Sequence, residues 1–354
     1  MVRKKTTVAK IGSVYIGGQN PIAIQSMTKS VTADVDATVK QIQMLEEAGC
    51  EIIRCAIVDK TDAEAIREIK SRITIPLVAD IHFDSRLAVK ALKSGADKVR
   101  INPGNLGGEE KFLTVLEEAG NYGAAVRIGV NGGSLSKDLY ERFGGASARA
   151  LAEDALRYVD LAKRQGFDNI VVSLKSSSVA DCVEANKLFS AQCDCPLHIG
   201  ITEAGTYEDG IIKSAAGLGA LLLEGIGDTL RVSLSEEPVR EVYAAKKILS
   251  HTGVRRGGAE VISCPTCGRC KADVIGYARQ VRALTREVAP YIKIAVMGCA
   301  VNGPGEARDA DVGLAFGADS AVLFEKGIQV AAVKAEEAVE LLMQCIQQIA
   351  GQGL

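Results

Sequence analysis

Leu77 to Ile101 reads LVADIHFDSRLAVKALKSGADKVRI, and this stretch decides the fold. A short apolar run, Leu77 to Ile81, leads into Arg86 to Lys93, where apolar residues recur at three- and four-residue spacing. Gly95 stands just past that period, where a left-handed helix stop is needed, and a second apolar run opens at Val99 and ends at Ile101. The order strand, helix, strand is the unit of a parallel βα repeat. Further β-rich runs lie at Ile22 to Gln25, Ile52 to Ile57, Val126 to Val130, Ile170 to Leu174, Leu197 to Ile201 and Leu230 to Leu234. Successive runs start about 30 residues apart, the length of a strand plus a crossover helix. Helical periods at Ala37 to Ala48, Ala63 to Lys70, Ala148 to Arg164 and Ala180 to Leu188 fill the intervals, with Gly49 and Gly166 as further stops. Eight such units close a barrel, so the expected fold is α/β, a (β/α)8 TIM barrel.

After Leu234 a last barrel helix, Pro238 to Ser250, runs into the charged, glycine-rich stretch His251 to Gly258, read as a hinge. The expected domains are 1–257, a barrel that binds substrate, and 258–354, a smaller α+β domain. In the second, a helix is expected near Asp273 to Glu287, strands near Ile292 to Met297 and Ala321 to Phe324, and a terminal helix at Ala335 to Ala350. The 354 residues are 47% hydrophobic and 24% charged, values that exclude wholesale disorder. A formal charge of -2, with 7 Phe, 8 Tyr and 0 Trp and no long basic run, leaves no footprint for nucleic acid. No apolar stretch approaches the roughly 18 residues of a membrane span, and Met1 to Thr7 leads into no apolar signal core. These features read as a soluble cytoplasmic protein, and in a reducing compartment its 10 Cys are free for metal binding or catalysis.

Polar residues at the C-terminal ends of barrel strands carry the chemistry of this fold. Here those ends hold Gln25 and Ser26, Arg54, Asp80 and His82, Arg100 and Asn102, Arg127 and Asn131, Ser173 and Lys175, Glu203, and Arg231 and Ser233. Several are pairs two residues apart, and the period-two geometry of a strand puts both members on one face. Arg54, Arg100, Arg127, Lys175 and Arg231 outnumber Asp80 and Glu203, which makes an anion pocket suited to a phosphorylated or diphosphate substrate. The plainer alternative is that each arginine pairs with a carboxylate at the rim. His82 is a candidate acid, base or orienting group. His198, inside a strand, and His251, in the hinge, read as structural.

The cysteines Cys264, Cys267 and Cys270 precede Met297-Gly298-Cys299-Ala300-Val301-Asn302-Gly303-Pro304-Gly305-Glu306. A Cys-x-x-Cys turn points two thiolates at one centre, and a distant Cys299 completes three soft ligands for zinc or an iron-sulfur cluster. Spacing does not choose between them, and a zinc site of Cys264, Cys267, Cys270 and Cys299 remains open. The turn at 302–305 could return Glu306 toward the metal as a hard ligand, or leave it as a solvated charge.

Six segments together resemble the bacterial 4-hydroxy-3-methylbut-2-enyl diphosphate synthases over essentially the whole chain. They are Ile24-Gln25-Ser26-Met27-Thr28, Ala79-Asp80-Ile81-His82-Phe83, Val99-Arg100-Ile101-Asn102-Pro103-Gly104-Asn105, Arg127-Ile128-Gly129-Val130-Asn131, Ser263-Cys264-Pro265-Thr266-Cys267-Gly268-Arg269, and Gly298 to Glu306. The resemblance implies one four-iron four-sulfur cluster per chain, in the second domain, held by Cys264, Cys267, Cys299 and Glu306. It implies two-electron reductive ring opening of 2-C-methyl-D-erythritol 2,4-cyclodiphosphate with loss of water, in isoprenoid biosynthesis. The resemblance further implies flavodoxin or ferredoxin as the electron donor, with no internal flavin or nicotinamide, and the chain agrees in showing neither a Gly-x-Gly-x-x-Gly motif nor a P-loop. A head-to-tail homodimer is also implied. Substrate contacts are expected from Arg54, Arg100, Asn102, Arg127, Asn131, Ser173, Lys175, Arg231, Ser233 and Ser263, with Glu306, Glu203, Asp80 and His82 as catalytic candidates. Cys270 departs from the family pattern and is not expected to be a ligand. Cys50, Cys55, Cys182, Cys193, Cys195 and Cys345 match no motif and read as buried small hydrophobes.

The main rival reading is a non-redox barrel transferase or aldolase on a phosphorylated substrate, with a structural zinc domain. A radical S-adenosylmethionine enzyme would place a Cys-x-x-x-Cys-x-x-Cys motif early in the barrel, which this chain lacks. An electron carrier would not need the cationic mouth.

Overall fold

The chain begins with a hairpin, β1 (Val8–Ile11) and β2 (Val14–Gly17), paired antiparallel. Its turn needs Gly12, where φ is +56° and a Cβ would lie 2.7 Å from an Asp97 carboxylate oxygen. The computed structural model describes residues 2–288, 290–299, 305 and 308–351. They fall into two compact units, Met1–Arg255 and Arg256–Leu354.

In the first unit strands and helices alternate. They are β3 (Ala23–Met27), α1 (Val35–Glu47), β4 (Ile52–Ala56), α2 (Lys60–Ser71), β5 (Leu77–Asp80), α3 (Ser85–Lys93), β6 (Lys98–Ile101), α4 (Glu109–Asn121), β7 (Ala125–Asn131), α5 (Lys137–Phe143), α6 (Ala148–Arg164), β8 (Ile170–Lys175), α7 (Val179–Gln192), β9 (His198–Ile199), α8 (Tyr207–Leu223), β10 (Thr229–Leu230) and α9 (Pro238–His251). Every strand pair from β3 to β10 is parallel, in the order β8-β7-β6-β5-β4-β3-β10-β9. A parallel bridge between Val172 and Leu197 joins the two ends and closes the barrel.

Period-two alternation explains how these strands are at once apolar and charged. Ile24, Ile53, Cys55, Leu77, Ala79, Val99, Ile101, Val126 and Ile128 belong to the main core with the surrounding helices. On the other face, Ala23, Ile52, Val78, Ala125 and Val171, near the strand starts, pack against Ala9, Ile11 and Ile16 of the hairpin. The hairpin therefore plugs the N-terminal end of the barrel, and its interior opens toward the C-terminal ends of the strands. Both late strands are shorter than expected. Gly200, just past β9, lies so close to its neighbours that a Cβ would meet the Arg231 carbonyl at 2.5 Å and Lys175 Nζ at 2.8 Å.

The second unit is α+β. Its sheet orders β11 (Ala259–Ser263), β12 (Ile292–Met297), β13 (Val312–Phe316), β14 (Ser320–Glu325) and β15 (Ile328–Lys334), with the first three parallel and the last two antiparallel. On one face, α10 (Val274–Leu284) and α11 (Ala338–Gly351) bury Val274, Val281, Leu342 and Ile346 against Ile292, Ile294, Val312, Leu314 and Phe316. Tyr277 stacks on Phe316 with ring centroids 4.1 Å apart.

Candidate functional site

The register lines up Asp80, Arg100 and Arg127 on β5, β6 and β7. Asp80 is buried, and its Oδ1 accepts from Arg100 Nη1 at 3.2 Å. Its Oδ2 lies 3.8 Å from Arg54 Nε and 3.4 Å from His82 Nε2. Burial alone would raise the Asp80 carboxyl, but Arg54, the His82 hydrogen bond, Arg100 and Arg127 together hold it well below the usual carboxylate range. His82 Nε2 also lies 3.5 Å from Arg100 Nη1, while its side chain stays half exposed. Arg54 turns its Nε and Nη2 toward the Met27 sulfur at 3.1 and 3.0 Å. Burial draws its guanidinium down to about 10 against the opposing pull of Asp80.

Arg231 is locked by a bidentate pair to Glu241 of α9, with Nε to Oε2 and Nη2 to Oε1 both 3.1 Å. Glu241, itself buried, also accepts from Ser26 Oγ at 3.2 Å and from the Leu234 backbone N–H at 3.0 Å. The rim-pairing alternative thus holds for Arg54, Arg100 and Arg231. Among the described residues it fails for Arg127 and Lys175. Arg127 is buried, and its Nε and Nη1 have no hydrogen-bond partner; the Arg100 Nε lacks one too. Burial, then Arg54 and Arg100, push the Arg127 guanidinium well below its ordinary value. Burial and neighbouring arginines do the same to Lys175. Groups this strained by like charge, with N–H groups left over, form a site that an anion relaxes. Gly129 lets Arg100 lie across β7, since a Cβ there would sit 2.8 Å from Arg100 Nε.

Asn102 and Ser173 are buried, and Ser233 is half-buried. Asn131, at the end of β7, accepts from Ser134 Oγ at 3.0 Å through its Oδ1. Glu203 is exposed and holds a left-handed φ of 51°, a conformation that costs a non-glycine residue energy and is common at functional sites. Two residues escaped the sequence reading. Glu241 lies in a helix with nothing to mark it as an arginine partner. Lys98, two residues before Arg100, is fully buried with its Nζ 3.5 Å from Gln25 Oε1. Its ammonium is pushed well down, by burial first and then by Arg127 and Arg54. His198 is buried in β9, with Nδ1 3.5 Å from Thr229 Oγ1.

In the second unit, Ser263 ends β11 and Cys264 follows it, while Cys299 comes two residues after β12, the parallel neighbour of β11. Both cysteines therefore leave the same edge of the sheet. The Gly298 N–H donates to Cys264 Sγ at 3.3 Å, and a Cβ at Gly298 would meet Cys270 Sγ at 2.5 Å and Cys264 Sγ at 3.4 Å. Thr266, with φ 63°, turns the chain between Cys264 and the exposed Cys267. Thiolates at adjacent strand ends, with a backbone N–H on sulfur and a glycine clearing the space, fit a sulfur-ligated metal centre. Glu306 lies outside the described residues. Cys270 Sγ donates to the Ala272 carbonyl at 3.2 Å. The reading of all six remaining cysteines as buried hydrophobes needs correction. Cys345 is half-buried, and so is Cys193, whose sulfur lies within 4.8 Å of ligand atoms of Asp194 and Cys195 in the loop before β9.

Two family models match: the GcpE TIM-barrel domain over residues 6–246 and the GcpE protein C-terminal domain over residues 260–348. A protein of Caldanaerobacter subterraneus subsp. tengcongensis, named 4-hydroxy-3-methylbut-2-en-1-yl diphosphate synthase (flavodoxin), is 53% identical over 98% of this chain and 98% of its own. One of the same name from Nitratidesulfovibrio vulgaris is 52% identical over 94% of this chain and 86% of its own. Among solved structures, a dihydropteroate synthase from Stenotrophomonas maltophilia aligns with 71% of this chain and 100% of its own at TM-score 0.51. At 13% identity that likeness concerns the barrel fold alone. With models matching both units and relatives this similar from end to end, the chain belongs to the GcpE family.

Proposed function

We propose that this chain is an iron-sulfur oxidoreductase of isoprenoid biosynthesis. It converts 2-C-methyl-D-erythritol 2,4-cyclodiphosphate to 4-hydroxy-3-methylbut-2-enyl diphosphate and water, taking up two electrons and two protons. The observation that carries the reading is the pair of buried, under-paired guanidiniums of Arg127 and Arg100, with the half-buried Lys175 near them, at the mouth of a barrel whose other end is plugged. A pyrophosphoryl group supplies the oxygens that the Arg127 Nε and Nη1 and the Arg100 Nε lack. Arg54 and Arg231 add charge from either side, and Asn102, Asn131, Ser173 and Ser233 offer neutral hydrogen bonds.

Asp80 is held ionised by its cationic neighbours, so at neutral pH it cannot donate a proton. Its work is to orient Arg100 and His82. Proton delivery then falls to His82 and to Glu203, which is exposed and held in a strained conformation. Cys264, Cys267 and Cys299, with Glu306 as fourth ligand, hold one four-iron four-sulfur cluster, which when bound supplies one-electron transfer and Lewis acidity. Flavodoxin, or ferredoxin in its place, is the electron donor. The working form is a cytoplasmic homodimer. Ten cysteines in the sequence fit a reducing compartment, where thiols stay available to hold a metal centre. No helix among the described residues is long and apolar enough to cross a membrane.

Anaerobic purification, metal analysis and an assay of cyclodiphosphate consumption with a chemical reductant test the proposal together. It expects a brown, iron-containing protein that releases the linear diphosphate. A colourless zinc protein, inert toward the cyclodiphosphate, would replace it with a non-redox transferase or aldolase.

A further inference from the structure

The loop between α7 and β9 brings together a set of metal-ligating atoms that the proposed reaction does not use. There Cys193 Sγ, an Asp194 carboxylate oxygen and Cys195 Sγ all lie within 4.8 Å of one another. We propose that Cys193, Asp194 and Cys195 form a binding site for one thiophilic divalent cation of the zinc class, at the end of the barrel opposite the substrate mouth.

The loop is built to hold ligands still. Cys193 is extended, with φ -139° and ψ 143°, and its sulfur, the Cys195 sulfur and an Asp194 oxygen converge within 4.8 Å of one another. Its N–H donates to the Phe189 carbonyl at 3.0 Å, and the Cys195 N–H lies 3.5 Å from Cys193 Sγ. The N-terminal segment ties the loop down, with the Thr7 N–H on the Asp194 carbonyl at 2.8 Å and Lys4 Nζ on the Cys193 carbonyl at 3.0 Å. Around a tetrahedral zinc with bonds of about 2.3 Å to sulfur, neighbouring ligand atoms stand roughly 3.5 to 4 Å apart. From at most 4.8 Å, the trio reaches that spacing by contracting about 1.3 Å or less.

The donor set selects the metal. Two sulfurs suit zinc or cadmium, whereas calcium and magnesium need a shell of oxygens that this loop does not offer. Two thiolates and a carboxylate over-neutralise a dication by one charge, and Lys163 Nζ, 3.2 Å from Asp194 Oδ1, offsets the excess. The site also lies at the C-terminal end of α7, where the helix dipole favours a cation. Beside it opens a cavity of about 450 Å³ lined by Cys193, Asp194, Lys163, Lys4 and Gln192, which leaves a fourth coordination position to water or an incoming donor.

The test uses the full-length, iron-loaded protein under anaerobic conditions. It is incubated with a small excess of zinc chloride and desalted, and zinc is counted and examined by X-ray absorption at the zinc edge. Wild type is expected to retain one more zinc per chain than Cys193→Ser, in a shell with two sulfurs, and Asp194→Asn to bind at least tenfold more weakly. Iron content and cyclodiphosphate turnover should match in all three, which separates this site from the cysteines of the second unit. Equal zinc in wild type and Cys193→Ser, or a shell without sulfur, overturns the proposal. Should Cys193→Ser fail to fold, mass-spectrometric alkylation of wild type decides: zinc must slow Cys193 labelling at least tenfold, and undiminished labelling is a refutation.

Discussion

At Arg127 the chain buries a guanidinium whose Nε and Nη1 donate to no described residue. An unpaired buried charge is a folding cost, and an apolar side chain of similar volume removes it. Arg127→Met is therefore expected to raise the melting temperature by a few degrees, as about 1 kcal/mol does in a barrel of this size. It should also lower kcat/KM for the cyclodiphosphate about 100-fold, the loss of roughly two charge-assisted hydrogen bonds. Calorimetry and steady-state kinetics on one preparation check both signs, and a variant both less stable and fully active would contradict the assignment. Cys270 poses the opposite question. It lies beside Cys264 at Gly298, yet its thiol is already a donor to the Ala272 carbonyl. Cys270→Ser is accordingly expected to keep its full iron content and visible spectrum, whereas Cys264→Ser should be purified without colour. Loss of iron from Cys270→Ser would make Cys270 the fourth ligand in place of Glu306.

At the level of the elements, what was legible in the sequence was whatever repeats. The eight strands followed from apolar runs, and α6 starts and ends where its period does, at Ala148 and Arg164. Three helices escaped because their signals are mixed. Helix α8 carries Gly210, Gly217 and Gly219, two of them in tight contact with Leu234 and Ile201, so composition argues against a helix that tertiary packing requires. Helix α4 opens from Gly107 and Gly108, both at positive φ, and α5 spans only Lys137–Phe143. The cationic mouth was legible as charged residues alternating within apolar strands, but Glu241 was not, because a strand end and the following helix pairing 10 residues apart leave no local pattern. Helix α6 also carries a testable electrostatic cost. Asp154 is buried there with only Ser136 Oγ, at 3.4 Å, donating to it among the described residues, and burial lifts its carboxyl to about 6. A folded-state value above the unfolded one means that the ionised form opposes folding. The cost is full above pH 7, fades as pH falls through about 6, and is gone below the unfolded value of about 4. Asp154→Asn should therefore stabilise the chain by roughly 2 kcal/mol at pH 8 and by nothing measurable near pH 4, with denaturant titrations at both pH values as the check.

Across the whole molecule, the residues proposed to bind the anion and the cysteines proposed as sulfur ligands belong to separate compact units with separate cores. Each core closes on its own: helices α1 to α4 and α6 to α9 bury the outward faces of the barrel strands, while α10 and α11 cover one face of the second sheet. If binding and redox chemistry divide along the same line, damage to one unit must spare the function of the other. Arg127→Met is expected to keep its iron and its cluster spectrum while losing affinity for the cyclodiphosphate. Cys299→Ser is expected to be iron-free and inactive, yet to bind the cyclodiphosphate within about threefold of wild type in a calorimetric titration. Stability should divide in the same way. A metal centre that binds only the folded state stabilises the unit that holds it, so chelating the iron should lower one melting transition and leave the barrel transition in place. Two units that shared one cooperative core would instead melt together, and iron removal would then shift the single transition of the whole chain. The calorimetric trace of the metal-free protein distinguishes these outcomes directly, and a single shifted peak would show that the line between binding and redox does not follow the line between the two cores.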